Sequence, residues 1–171
     1  MKILTPFLLF MALCFISCGG NQTQTSEVDY SGIDSIQTSQ MIGQKIDANV
    51  CAINSKNDTL RLADVLNDTT LYVRFSTYAC KDCIDFTLSK LMEADLPFVV
   101  LVSNMPIRDM HVNEVDNKGM TMYLVPSINL DFDEGLTPYV FTQKGQQVNK
   151  FFIPRKETEK TSDKFISELK S

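Results

Sequence analysis

The residues of this chain best suited to chemistry are two cysteines separated by two positions, in Ala79-Cys80-Lys81-Asp82-Cys83. Thiols at that spacing across a first helical turn can close into a disulfide and open again. Upstream runs Leu71-Tyr72-Val73-Arg74-Phe75, a strand pattern. Downstream, Ile84, Leu88, Leu91 and Met92 share one helical face. The pair therefore falls where a strand gives way to a helix. The unpaired N–H groups and positive dipole end of a helix favour a thiolate over a thiol, most strongly at the first cysteine. That makes Cys80 the attacking sulfur and Cys83 the resolving one. Lys81 adds positive charge beside them and Asp82 opposes it. The same spacing also suits half of a zinc site or an inert staple. Structural zinc takes four ligands, and beyond this pair and Cys18 a processed chain would offer only Cys51 and His111. Neither a resident metal nor another cofactor is expected.

The start of the chain reads as an address. Lys2 is followed by an apolar run from Ile3 to Ile16, broken only by Thr5 and Pro6. As a helix this run of about 14 residues reaches roughly 21 Å, short of the ~20 residues that span a bilayer. It fits the apolar core of a signal peptide. Phe15-Ile16-Ser17-Cys18-Gly19 places a small residue before a cysteine at the end of that core. This resembles the lipobox of bacterial lipoproteins, with Phe15 in place of the usual leucine. The resemblance implies cleavage after residue 17, a lipid on Cys18, and a chain held at the membrane of a bacterial cell envelope, facing the periplasm. An ordinary signal peptide with an incidental cysteine is the alternative. Residues 18–40 are polar, with Val28, Tyr30, Ile33 and Ile36 sparse among them, and read as a tether. The folded domain is expected over residues 41–171.

Composition sets outer limits. The 171 residues are 44% hydrophobic and 22% charged, which fits one globular domain and excludes a disordered tail. Sixteen basic against 21 acidic residues give a net charge of −5, so charge-driven nucleic-acid binding is not expected. There is no tryptophan, and His111 is the only histidine. Within the domain, Val50–Ile53 and Thr59–Leu62 flank a turn-rich stretch and suggest a hairpin. Leu62, Val65 and Leu66 suggest a short helix. The run 96–102 reads as a strand buried on both faces. A helix near 108–115, a strand over 120–125, a hairpin around Gln143-Lys144-Gly145-Gln146, and a closing helix with Phe165, Ile166 and Leu169 complete the order.

The stretch Tyr72-Val73-Arg74-Phe75-Ser76-Thr77-Tyr78-Ala79-Cys80-Lys81-Asp82-Cys83 resembles the active-site segment of thioredoxin-like proteins. Thr137-Pro138 is similar to that family's cis-proline site, and Lys144-Gly145 to its hairpin. The resemblance covers residues 41–171 and is nearest to the membrane-tethered, exported branch that reduces disulfides. It implies an α/β thioredoxin-like fold, a central mixed β-sheet flanked by helices, with an extra N-terminal hairpin from residues 46–62. It also implies a thiol–disulfide oxidoreductase, expected to run as a reductase, while the cycle run backward would make it an oxidase. Its partners would be protein disulfides or thiols and a redox protein supplying electrons. Cys80 and Cys83 would be catalytic, and Tyr78, Ala79, Thr137 and Pro138 would meet the substrate. Three positions depart from the family: Ala79 replaces the frequent tryptophan, Arg74 replaces the buried acid, and no proline separates the cysteines.

Several residues admit more than one reading. Arg74 either reaches solvent at a sheet edge, or stabilises a thiolate, or pairs with a local acid. Asp131-Phe132-Asp133-Glu134 is either a solvated loop or a rim that steers basic partners. Cys51 reads as a small buried core residue. Two further functions stay open. His111 with Met105, Met110, Met120 and Met122 could serve Cu(I) on a binding lipoprotein. Thr77-Tyr78-Ala79-Cys80 has the Thr-x-x-Cys spacing of peroxiredoxins, though Val73 stands where their proline is expected.

Overall fold

Leu71-Tyr72-Val73-Arg74-Phe75-Ser76 sends alternate side chains to opposite faces, and apart from Arg74 its first five residues are apolar or aromatic. Such a strand needs cover on both sides. In the computed structural model, which describes residues 30–116, 120–133 and 136–170, it lies inside a seven-stranded sheet. The elements in chain order are α1 (Tyr30–Met41), β1 (Cys51–Asn54), β2 (Thr59–Arg61), α2 (Leu62–Val65), β3 (Leu71–Ser76) and α3 (Lys81–Glu93). Then follow β4 (Phe98–Ser103), α4 (Ile107–Asp116), β5 (Thr121–Leu124), β6 (Tyr139–Lys144), β7 (Gln147–Phe152) and α5 (Glu159–Leu169). The sheet order is β2-β1-β5-β4-β3-β6-β7. Strands β3, β4 and β5 are parallel, joined through α3 and α4; β6 and β7 return antiparallel, and the β1–β2 hairpin adds antiparallel to β5. The architecture is mixed α/β, with helices flanking a central mixed sheet and an extra hairpin near its start.

The alternation on β3 divides the interior into two layers. Leu71, Val73 and Phe75 pack with Leu91 and the partly buried Ile84 and Leu88 of α3, with Met110 of α4, and with Phe165, Ile166 and Leu169 of α5. Tyr72 faces the other way, toward Leu101, Tyr139, Phe141 and Phe151, closed by Met41, Leu62, Val65, Ile128 and Leu130. The methionines at 110, 120 and 122 are buried members of the first layer, so packing accounts for them.

Residues 30–40 correct the expected tether. They are helical and dock on the folded domain. Asp34 is 7% exposed and accepts from Arg155 Nε at 2.9 Å; the Arg155 guanidinium lies 4.9 Å over the Tyr30 ring, and Met41 enters the core. Ile33 and Ile36 stay exposed. The helix docks through a charge and its C-terminal methionine rather than an apolar stripe, which is why hydrophobic periodicity missed it. After α1 the chain runs along the open side of β7. Gly43 N–H donates to Val148 O at 2.8 Å, Val148 N–H to Gln44 O at 2.9 Å, and Ile46 N–H to Gln146 O at 2.9 Å. The signal peptide expected over residues 1–17, Cys18 and the first part of the tether lie outside the described residues.

Candidate active site

The turn between β3 and α3 is short and internally bonded. Ala79 N–H donates to Ser76 O at 2.9 Å, Tyr78 N–H to Ser76 Oγ at 3.3 Å, and Thr77 N–H crosses to Ser103 O of β4 at 3.2 Å. This delivers Cys80 to the N-cap of α3, where its sulfur accepts the Cys83 N–H at 3.3 Å and its carbonyl takes the Ile84 N–H at 3.0 Å. Cys80 and Cys83 are joined by a disulfide with a Cα separation of 5.2 Å, inside the range such bridges span without moving the backbone. Cys80 is exposed and Cys83 half-buried. An outer sulfur that a nucleophile can reach, an inner one beneath it, and a helix N–H aimed at the outer one make a pair able to exchange. Charge around it is mixed. Lys81 Nζ donates to Asp85 at 2.6 Å, a bond that raises the lysine's pKa, while Asp82 is exposed in the same turn.

The second wall of the mouth is the chain leading into β6. Cys80 N–H donates to Leu136 O at 3.2 Å, bringing Leu136-Thr137-Pro138 against the disulfide. Tyr78 is 74% and Leu136 66% exposed, so two large apolar side chains flank Cys80 from opposite segments. Thr137 is half-buried and Pro138 buried. Ala79 is 8% exposed and packs into the first core layer, so it offers a partner little side-chain surface. No peptide bond among the described residues is cis, so the Thr137–Pro138 bond is trans, contrary to the family's cis-proline expectation. Trans is the lower-energy form of an X–Pro bond by about 0.5–1 kcal/mol. Leu136 was not singled out in the sequence. Its signal was positional only: an apolar residue directly before Thr137-Pro138.

Arg74 lies on an interior strand and is 1% exposed, so the solvent-edge reading fails. Its Nε donates to Asp133 Oδ1, Nη1 to Val125 O at 2.7 Å, and Nη2 to Pro126 O at 3.2 Å. Asp133 Oδ2 accepts Ile128 N–H at 2.7 Å, and Tyr139 Oη donates to Oδ1 at 3.4 Å. A buried charge survives when it is paired and its remaining polar atoms are bonded. This corrects the solvated-loop and steering-rim readings for Asp133, which is 8% exposed. Asp131 is exposed but accepts from Gln44 Nε2 at 2.7 Å, and Glu134 lies outside the described residues.

No family profile and no curated protein matches the chain. Solved structures do. A protein of Aquifex aeolicus VF5, provisionally described as an electron transfer protein, superposes with a TM-score of 0.50 at 10% identity, covering 75% of this chain and 93% of its own. A second structure from the same organism, provisionally described as an electron transport protein, also gives 0.50 at 10% identity, over 75% and 98%. A thiol peroxidase from Chromobacterium violaceum gives 0.48 at 10%, over 76% and 88%. The first two share this chain's architecture, and the order and directions of its seven strands give that architecture its class. The fold is thioredoxin-like.

Within this thioredoxin-like frame the remaining candidates are placed one by one. Cys51 is a free thiol and exposed, correcting its reading as core. On a four-residue strand its neighbour Ala52 takes the inward face, so Cys51 points out. His111 is exposed on α4. Among the described residues no three or more of His, Cys, Asp and Glu gather at metal-binding distance. Thr77 Oγ donates to Asn104 O at 3.1 Å. No helix among the described residues is long and apolar enough to cross a membrane.

Proposed function

We propose that the protein is a lipid-anchored thiol–disulfide oxidoreductase acting on protein disulfides outside the cytoplasm, in the reducing direction. The observation that carries the reading is Cys80 itself: an exposed N-cap sulfur, bonded to Cys83 and accepting a helix N–H. In the dithiol form, the Cys80 thiolate attacks one sulfur of a partner disulfide. A Cys80–partner bond forms, the partner bond breaks, and the partner's other sulfur leaves as thiolate and takes a proton. The Cys83 thiolate then attacks Cys80, closing the pair and releasing the second partner thiol. Two electrons have moved to the partner, and an external dithiol protein must return them. The reducing direction is supported by the first turn's charge. Lys81 is tied to Asp85 and Asp82 stays exposed, so residues 81–85 carry two acids against one base, a balance that opposes thiolate. A less stabilised dithiolate makes a weaker oxidant. The anchor on Cys18 and the envelope location rest on the lipobox resemblance.

The test has two parts. Cys80→Ser abolishes exchange with a protein disulfide, while Cys83→Ser accumulates a mixed disulfide through Cys80. The reduction potential of the pair falls between about −120 and −270 mV, toward the lower end. A value below about −300 mV, where structural bridges lie, would reduce the pair to a staple.

A further inference from the structure

We propose that the buried Arg74–Asp133 pair positions the substrate-facing wall of the disulfide, by tying residues 125–133 and Tyr139, which follows Pro138, to the strand that leads to Cys80. The proposal rests on the oxidoreductase reading above and adds to it a pair of positioning residues that do not touch the sulfurs.

Residues 125–133 after β5 and Tyr139 at the start of β6 are held by one cluster. Val125 O and Pro126 O accept from the Arg74 guanidinium. Asp133 takes Arg74 Nε on one oxygen and Ile128 N–H on the other. Tyr139 Oη reaches Asp133 Oδ1 at 3.4 Å. Three residues beyond Asp133, Leu136 O receives the Cys80 N–H. Arg74 lies six residues before Cys80 on β3 and its continuing turn. Arg74, on the strand that leads to Cys80, and Tyr139, directly after Leu136-Thr137-Pro138, thus meet at Asp133. Hydrogen bonds to charged groups in a dry site are directional and costly to leave unmade. A buried pair of this kind specifies one arrangement more than it adds net stability. Here the specified arrangement is the wall that an incoming chain must meet, while the sulfur chemistry belongs to Cys80 and Cys83.

The test uses the full protein in detergent with both partners replaced by apolar groups, Arg74→Met with Asp133→Leu, since such a swap preserves folding better than removing one partner. Amide hydrogen exchange of Cys80 and Ile128 is expected to quicken at least ten-fold, with the amides of α3 unchanged. If the loop then holds its competent position about a tenth of the time, KM for insulin as the protein disulfide rises about ten-fold. The rate with hydroxyethyl disulfide, which needs only a reachable sulfur, is retained. Asp133→Asn keeps an acceptor for Arg74 but turns the oxygen that takes Ile128 N–H into a donor, and shifts KM the same way by less. Unchanged protection at Cys80 overturns the proposal. So does lost protection without a change in insulin KM, or an equal loss with both disulfides, which would mean a direct effect on the sulfurs. A wild-type protein that exchanges with neither disulfide defeats the oxidoreductase reading, and this proposal with it, whatever the amides show.

Discussion

Cys80 is acted on by two opposed fields. The helix presents the Cys83 N–H to its sulfur at 3.3 Å, and this favours thiolate. Against it stand Asp82, exposed in the same turn, and Asp85, whose charge Lys81 offsets at 2.6 Å. Asp82 is the uncompensated member, so Asp82→Asn should make the pair more oxidising. A single exposed charge at a helix start moves the potential upward by about 10–20 mV, measured against a glutathione redox buffer. Cys51 should be silent in the same assay. Strands β5 and β4 separate its strand from β3, at least roughly 14 Å at the usual strand spacing. Cys51→Ser is expected to leave the potential and the exchange rate unchanged, and a shift in either would place it in the redox path.

At the scale of elements, α1 shows docking by charge. Burial raises the Asp34 carboxyl above its ordinary value despite Arg155 beside it, so the pair chooses where α1 lands rather than adding net stability. Arg155→Met leaves that carboxylate without its partner and should cost about 1–3 kcal/mol in denaturant unfolding. The double change with Asp34→Leu should cost less, and an equal cost would show that the pair stabilises outright. The same element marks where sequence reading stops. Strands β3 and β4, helix α3 and the two hairpins were legible because apolar periodicity and turn residues agree there with the burial they receive. The placement of Cys80 and Cys83 followed from the junction between such elements. Helix α1 was not legible because its inward residue is Asp34. Asp133 was misread for the same reason: an acid in a run of acids looks solvated until the arginine opposite is known. Arg74 and Asp133 stand 59 positions apart in the chain, and no local pattern pairs them. Cys51 failed on length, since a four-residue strand that is apolar on both sides does not say which side faces in.

For the molecule as a whole, alkaline pH should find the second core layer. Burial raises the phenol of Tyr72 above 10.0 and that of Tyr139 well above it, with the Asp133 charge adding to the latter. Folded pKa values above the unfolded one mean that the native state keeps protons the unfolded chain has lost. The stability these phenols contribute is complete below about pH 10 and declines as pH rises beyond it, by up to about 1.4 kcal/mol per pH unit for each phenol. Tyr139→Phe should flatten that decline when denaturation midpoints are compared at pH 9 and 11, and an unchanged slope would remove Tyr139 from the account. The chain just after α1 matters at this scale in another way. Gly43, Gln44 and Ile46 occupy backbone groups of β7 that would otherwise face outward from the sheet. An uncovered strand of six residues, three of them buried and apolar, is a template for the next molecule. Cleavage between Gln44 and Lys45 would therefore turn a covered edge into a seed, and light scattering that grows with protein concentration after such a cut would report aggregation through that edge.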